Sequence, residues 1–334
     1  MEKSGGDLVA CVVAFLIFAG WGSAQAASGD GTLLYYRPQP QTLPYNLSIT
    51  TRSQAVALFG PGPQEEHEDR IRLSQKVEKM GEGFLDIALT VDGINVEELG
   101  PQARQLHLNP RGGSTYRRQE IIGNTGHTLI NLLGAVKEVK GIPHFGSVDF
   151  HPQNLAGPLL GIYPVLTLVY PQFPMRLLKK GDSWKIKDEI TIQSAEALPI
   201  RGLGTLKHEL SMTVKRDLDY TLIDYVQRGK YQTVHIEFNG TFSVDGEMVT
   251  EAGGDYLDGT GRSSGELYFA AAEGLLVEVL IKSKLNEQKA KDGNAAHWFN
   301  SEVSMAVFWG QPTAAVTWLT DQDVHLVLAD REDE

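Results

Sequence analysis

Period-two alternation of apolar and polar residues constrains this chain more than any other feature. From Phe84 to Asp92, Leu85, Ile87, Leu89 and Val91 alternate with Asp86, Ala88 and Thr90. Successive side chains on a strand point to opposite faces, so the first set lines one face of a sheet. The rhythm returns at Ile71, Leu73 and Val77, at Leu210, Met212 and Val214, and at Val234, Ile236 and Phe238. It continues at Val277, Val279, Ile281 and Leu285, then at Phe299, Val303, Met305 and Val307, and Ala314 to Leu319 and Val324 to Leu328 read as a final pair. Gly81-Glu82-Gly83 joins two runs as a hairpin, and Asn239-Gly240 is a strong short hairpin signal. Strands at this spacing with glycine-rich turns predict antiparallel sheet, one face buried and one wet.

One segment departs from the pattern. Leu155 to Tyr170, LAGPLLGIYPVLTLVY, is apolar on every side. Such a segment is normally buried. Pro158 can start a helix and Pro164 would interrupt it, so the expectation over 155–170 is a helix or two short helical turns on a concave sheet face. Asn131 to Val139 is a second helical candidate. The expected fold class is therefore mainly β (α+β): curved antiparallel sheet packed on one or two short apolar helices. Two halves, 27–180 and 181–330, share a plan. The stretch VEKMGEGFLDIALTVDG echoes YVQRGKYQTVHIEFNGTFSVDG, a pattern that an internal duplication would leave.

The N-terminus bears on compartment. Leu8 to Trp21 is an apolar run, and Ala24-Gln25-Ala26 fits the small-x-small cleavage pattern, so residues 1–26 read as a secretion signal cut before Ala27. The run is short for a membrane span, which needs about 20 residues. Cys11 follows a lipoprotein-like Leu8-Val9-Ala10, but the apolar run continues after it; in a lipoprotein that run precedes the cysteine. Cys11 therefore reads as part of the signal. Without it the mature chain has no cysteine, which excludes disulfides and thiolate chemistry. No later stretch is apolar enough to span a membrane, and residues 331–334 read as an acidic tail. A periplasmic or secreted location is expected. The formal net charge of -12 repels phosphate backbones, so nucleic acid is not an expected partner.

Motifs with chemical meaning are few. Gly261-Arg262-Ser263-Ser264-Gly265 matches the G-x-S-x-G pattern of hydrolases, but a nucleophile elbow needs a strand before it and a helix after it. Here a Gly/Asp-rich stretch precedes and a β-like ELYFA follows, so the segment reads as a hairpin loop. His144, Asp149 and His151 lack a standard zinc-ligand spacing, and Asp255 to Gly259 lacks an oxygen ligand that an EF-hand needs. Glu65 to Asp69 reads as a solvated acidic loop. No catalytic residue, metal or cofactor is assigned.

Phe173-Pro174 followed by Lys180-Gly181-Asp182-Ser183-Trp184, and the strand-turn-strand Gly265-Glu266-Leu267-Tyr268-Phe269 with Gly274-Leu275-Leu276-Val277, resemble segments of exported bacterial β-rich proteins of unknown function. More distantly the chain resembles envelope lipid carriers that fold a curved antiparallel sheet around a helix. The resemblance implies architecture and compartment and brings no catalytic residues. The leading expectation is a non-enzymatic envelope protein that binds an apolar small molecule or lipid. The candidate cavity residues are Leu160, Ile162, Tyr163, Leu166, Tyr170, Phe173 and Trp184. The alternative is a structural or assembly factor that pairs with an envelope protein through strand edges. A serine hydrolase using Ser263 is the least favoured reading.

Overall fold

The computed structural model describes residues 31–39, 41–57, 60–81, 83–99, 123, 125–140, 167–200, 204–250, 253–291 and 294–309. They contain eleven strands: β1 (Leu43–Ala57), β2 (Gly60–Gly81), β3 (Phe84–Leu99), β4 (Thr125–Asn131), β5 (Val136–Lys140), β6 (Ser183–Ile200), β7 (Gly204–Arg228), β8 (Tyr231–Thr250), β9 (Gly253–Ala270), β10 (Leu275–Lys291) and β11 (Asn294–Trp309). Each strand pairs with its neighbours in sequence, and β1 pairs with β11, so the sheet closes into a barrel. Every pairing is antiparallel except β5 with β6. One closed sheet thus draws on both halves of the chain. The alternating sequence pattern is the pattern of its wall. Along β7, Met212, Val214, Leu218, Tyr220 and Leu222 face inward and are buried, while Lys215 and Asp219 face out and are exposed. Each fully buried Leu, Ile or Val contributes about 1.5–3 kcal/mol.

The curved sheet is therefore a full barrel, and the helix expected against it is absent among the described residues. Thr167 to Tyr170, the end of the apolar segment, forms turns; residues 155–166 lie outside the described residues, as do 1–30, 310–334, His144, Asp149 and His151. Asn131 to Val139 is not helical either: it is the β4–β5 hairpin. Asn131 Oδ1 accepts hydrogen bonds from the amides of Leu133 (2.9 Å) and Ala135 (2.8 Å), and Gly134 takes a φ of 90°. Those local bonds fix a turn where apolar spacing alone suggested a helix. The acidic run Glu65 to Asp69 belongs to β2, where cross-strand pairing overrides its loop-like composition.

Two further turn readings are corrected by one packing device. Asn239-Gly240 lies in the middle of β8, and the turn falls instead at Gly229-Lys230. Gly261 to Gly265 lies inside β9, not in a loop. In the pairing of these strands Phe238 stands opposite Gly265, Gly240 opposite Ser263, and Phe242 opposite Gly261. A Cβ on Gly265 would sit 2.6 Å from the Phe238 ring, and one on Gly261 would sit 2.3 Å from the Phe242 ring. The glycines thus leave room for aromatic rings to lie across the neighbouring strand, a known way to cover glycine in sheets. The expected hairpin at Gly81 to Gly83 does form, as do the Gly265–Val277 hairpin and the strand opened by Gly181 to Trp184.

Eleven strands enclose more space than their own side chains fill; eight already leave an interior just wide enough for them. Here two connecting segments enter the closed end. Leu34 and Tyr36 come from the segment before β1, and Leu168, Tyr170, Phe173 and Leu178 come from the β5–β6 crossover; all are buried. Phe173 packs on Tyr36 (5.7 Å between centroids) and on Phe269 (4.7 Å). Main-chain bonds fix the plug to the β4–β5 turn, Tyr36 N to Leu132 O and Phe173 N to Leu133 O, and a bridge between Thr32 and Leu178 joins its two segments.

Candidate apolar cavity

The wall is uneven. β4 has 7 residues and β5 has 5, whereas β3 and β6 beside them have 16 and 18. β3 pairs with β4 only over Phe84–Thr90, and β6 pairs with β5 only over Thr191–Gln193. Among the described residues, β3 from Asp92 onward and β6 from Ser194 onward thus have a strand neighbour on one side only. Among the described residues the wall stands low between them.

Behind this low wall lies a cavity of about 70 Å³. The barrel supplies Tyr45 and Leu47 from β1, Leu73 and Gln75 from β2, Leu89 from β3, Thr128 from β4, Val136 and Val139 from β5, Leu276 from β10 and Val307 from β11. The crossover supplies Thr167, Val169 and Tyr170. The lining is mostly hydrocarbon. Its phenols are engaged: Tyr170 OH donates to Gln75 Oε1 (3.3 Å), and Tyr45 OH donates to the Leu276 carbonyl (3.2 Å). Burial pushes both phenols well above the ordinary tyrosine range, and the neighbouring Tyr170 and Tyr231 raise Tyr45 further. They stay neutral at any physiological pH. Such a lining suits an apolar guest with at most one or two hydrogen-bonding groups.

A charged pair, Arg216 with Asp188, stands on the inward face of the wall. Arg216, 2% exposed on β7, donates from Nε (2.8 Å) and Nη2 (2.5 Å) to the carboxylate of Asp188 on β6, and from Nη1 to the Thr167 carbonyl. The pairing with Asp188 follows from register, since the two residues stand directly opposite. Its third contact ties the crossover to the tall wall. These bonds satisfy three of the five N–H donors of the buried guanidinium.

Of the residues proposed from sequence, Tyr170 lines the cavity. Phe173 and Trp184 are buried beside it in the core: Trp184 stacks on Tyr220 (5.3 Å, 8°) and donates from Nε1 to the Gln172 carbonyl (2.9 Å). Leu160, Ile162, Tyr163 and Leu166 lie outside the described residues. Sequence reasoning missed the wall residues Tyr45, Leu47, Leu73, Leu89, Val136 and Val139. Alternation marks the inward face of each strand, but which strands converge on one space depends on closure. Ser263, the hydrolase candidate, is buried in mid-strand with its hydroxyl 2.5 Å from that of Ser283 on β10. That is not the strained strand-to-helix turn of a nucleophile elbow.

Among the described residues two groups of side chains could hold a metal ion: Glu78, Asp86 and His127 near the β2–β3 turn, and His235, Glu237 and Glu266 on the outer face of β8–β9. In the first, Glu78 is exposed and His127 is 40% exposed. The second is more enclosed. No known protein family matches this chain, and no curated protein matches it.

Proposed function

We propose that this protein is an exported, non-enzymatic barrel that holds an apolar small molecule or lipid chain between the low wall and the crossover plug. The observation that carries the reading is the apolar cavity beneath β3–β5, walled on one side by Thr167–Tyr170, which is connecting chain and not barrel wall. A wall is fixed by its ladder of hydrogen bonds; a connection can shift without unpairing a strand. The cavity is small, about 70 Å³, so a guest of lipid size requires the crossover side chains to move aside. Binding would be driven by burial of hydrocarbon at roughly 25 cal/mol per Å², offset by the packing that Leu168 and Tyr170 give up. Charged outer faces such as Lys185, Lys187, Glu189 and Lys215 suit a barrel in water, the reverse of the apolar outer band of a membrane-spanning barrel. With the secretion-signal pattern of residues 1–26 they support a periplasmic or secreted carrier.

Mass spectrometry of material extracted from the natively purified protein tests the proposal. A stoichiometric apolar compound is expected. Val136→Phe, which fills the cavity from β5, should leave the barrel folded and abolish both the copurifying compound and any stabilisation by added lipid. An empty wild-type protein whose unfolding temperature no lipid moves would overturn the reading. The one-sided stretches of β3 and β6 favour a second reading, strand addition by an envelope partner. Capture of an extended peptide with no dependence on cavity filling would support that reading instead.

A further inference from the structure

We propose that the outer face of β8–β9 carries a site for a divalent transition-metal ion of the zinc type, held by His235, Glu237 and Glu266. The site is independent of the cavity and lies on the opposite surface of the wall. His235 and Glu237 are two residues apart on one strand and so project from the same face. Glu237 stands directly opposite Glu266. One ligand atom from each of the three lies within 4.8 Å of the others.

One feature of the cluster calls for a cation. His235 Nε2 is buried and makes no hydrogen bond, although it lies 3.2 Å from Glu266 Oε2. Tetrahedral ligands at about 2.0–2.2 Å from zinc are separated by roughly 3.3 Å, so nitrogen and oxygen already stand at the spacing of two ligands on one ion. A positively charged imidazole would explain the closeness but leaves the missing hydrogen bond unexplained.

The surroundings orient the ligands. The Tyr268 ring stacks on the His235 imidazole (4.6 Å between centroids, 12° between planes), and its hydroxyl donates to Glu266 Oε2 (3.0 Å). Tyr268 is itself fixed by the Arg228 guanidinium, 3.9 Å from the ring centroid. Metal sites depend on such outer contacts to hold ligand geometry. One imidazole with two carboxylates selects a borderline ion such as zinc over magnesium or calcium, which take oxygen ligands alone. Three protein ligands leave a fourth position for water or a group from another molecule.

Zinc titration of the purified protein, followed by calorimetry and by competition with a chromophoric chelator, tests the assignment. One equivalent should bind and raise the unfolding temperature, with magnesium and calcium ineffective. His235→Ala and Glu237→Gln should each weaken binding by more than a hundredfold. Tyr268→Phe, which keeps the stacked ring and removes the hydroxyl, should weaken it about tenfold, the usual outer-contact effect. His127→Ala, at the more exposed group, should leave it unchanged. Should His235→Ala fail to fold, Glu237→Gln decides alone, since it changes one atom. Failure to bind one equivalent, or undiminished binding by folded Glu237→Gln, overturns the site.

Discussion

On the β8–β9 side of the barrel, Phe238 and Phe242 are wall residues whose rings lie across Gly265 and Gly261 of the neighbouring strand. On the β3–β5 side β4 and β5 are short, no such ring-over-glycine pairs occur among the described residues, and Val169 and Tyr170 from the crossover cover the interior. The cavity lies on the second side. Interior apolar surface can therefore be covered by rings fixed in the wall or by an inserted segment, and the second arrangement leaves a removable component.

Alkali should have the largest effect. Tyr36, Tyr45, Tyr170 and Tyr220 are all buried, and burial is the main cause that raises each phenol, Tyr220 to about 12. A group whose pKa is raised by folding contributes stability that is complete below the unfolded value, about 10 for tyrosine, and is lost as pH climbs toward the folded value. Absorbance at the phenolate band should thus rise together with loss of circular dichroism, above pH 10. Ionisation of Tyr45 and Tyr170 ahead of Tyr220 would show that the cavity side opens locally, and would sharpen the contrast between the two sides. Ionisation of all four near pH 10 in a folded protein would erase it.

Phe238→Ala should come next. It removes a fully buried ring from the β8–β9 side and uncovers Gly265, at about 3–5 kcal/mol by denaturant unfolding. Leu89→Ala, a half-buried residue beside the existing cavity, should cost only about 1–2 kcal/mol. Equal losses at the two positions would mean that the sides are packed alike. Ser263→Ala should be the mildest, about 1 kcal/mol for a lost hydroxyl pair, with no effect on any biological activity. An activity lost at unchanged stability would restore a catalytic role to that serine.

The strands and several hairpins were legible because they rest on local rules. Alternation at Leu85 to Val91 and the glycines at 81–83 act within a few residues. The misreadings share a cause of longer range. Gly240, Gly261 and Gly265 look like turn or motif glycines in sequence, yet their role depends on two phenylalanines that become neighbours only after β8 and β9 pair. Asn131 to Val139 has apolar spacing that fits helix and hairpin alike, and the asparagine side chain decides between them. Closure itself had no local signature. The pairing of Leu47 with Val307 joins positions separated by most of the chain, and the cavity exists only once that pairing has formed. Its wall residues were therefore visible as strand residues and invisible as a site.

The β1–β11 seam also has a kinetic meaning. Tyr45–Val56 must wait for Trp298–Trp309 before its second side is satisfied, so each molecule passes through a stage with one long hydrogen-bonding edge unfilled. Closing so large a loop is entropically slow, and folding dominated by such distant pairings proceeds in about milliseconds to seconds. Throughout that interval another chain's β11 can take the place of its own. The risk grows with concentration and with every delay between synthesis of the first strand and the last. Arg52 and Asn46, polar residues within the waiting strand, are positions where charge or its removal would change the balance between closing on itself and joining a neighbour.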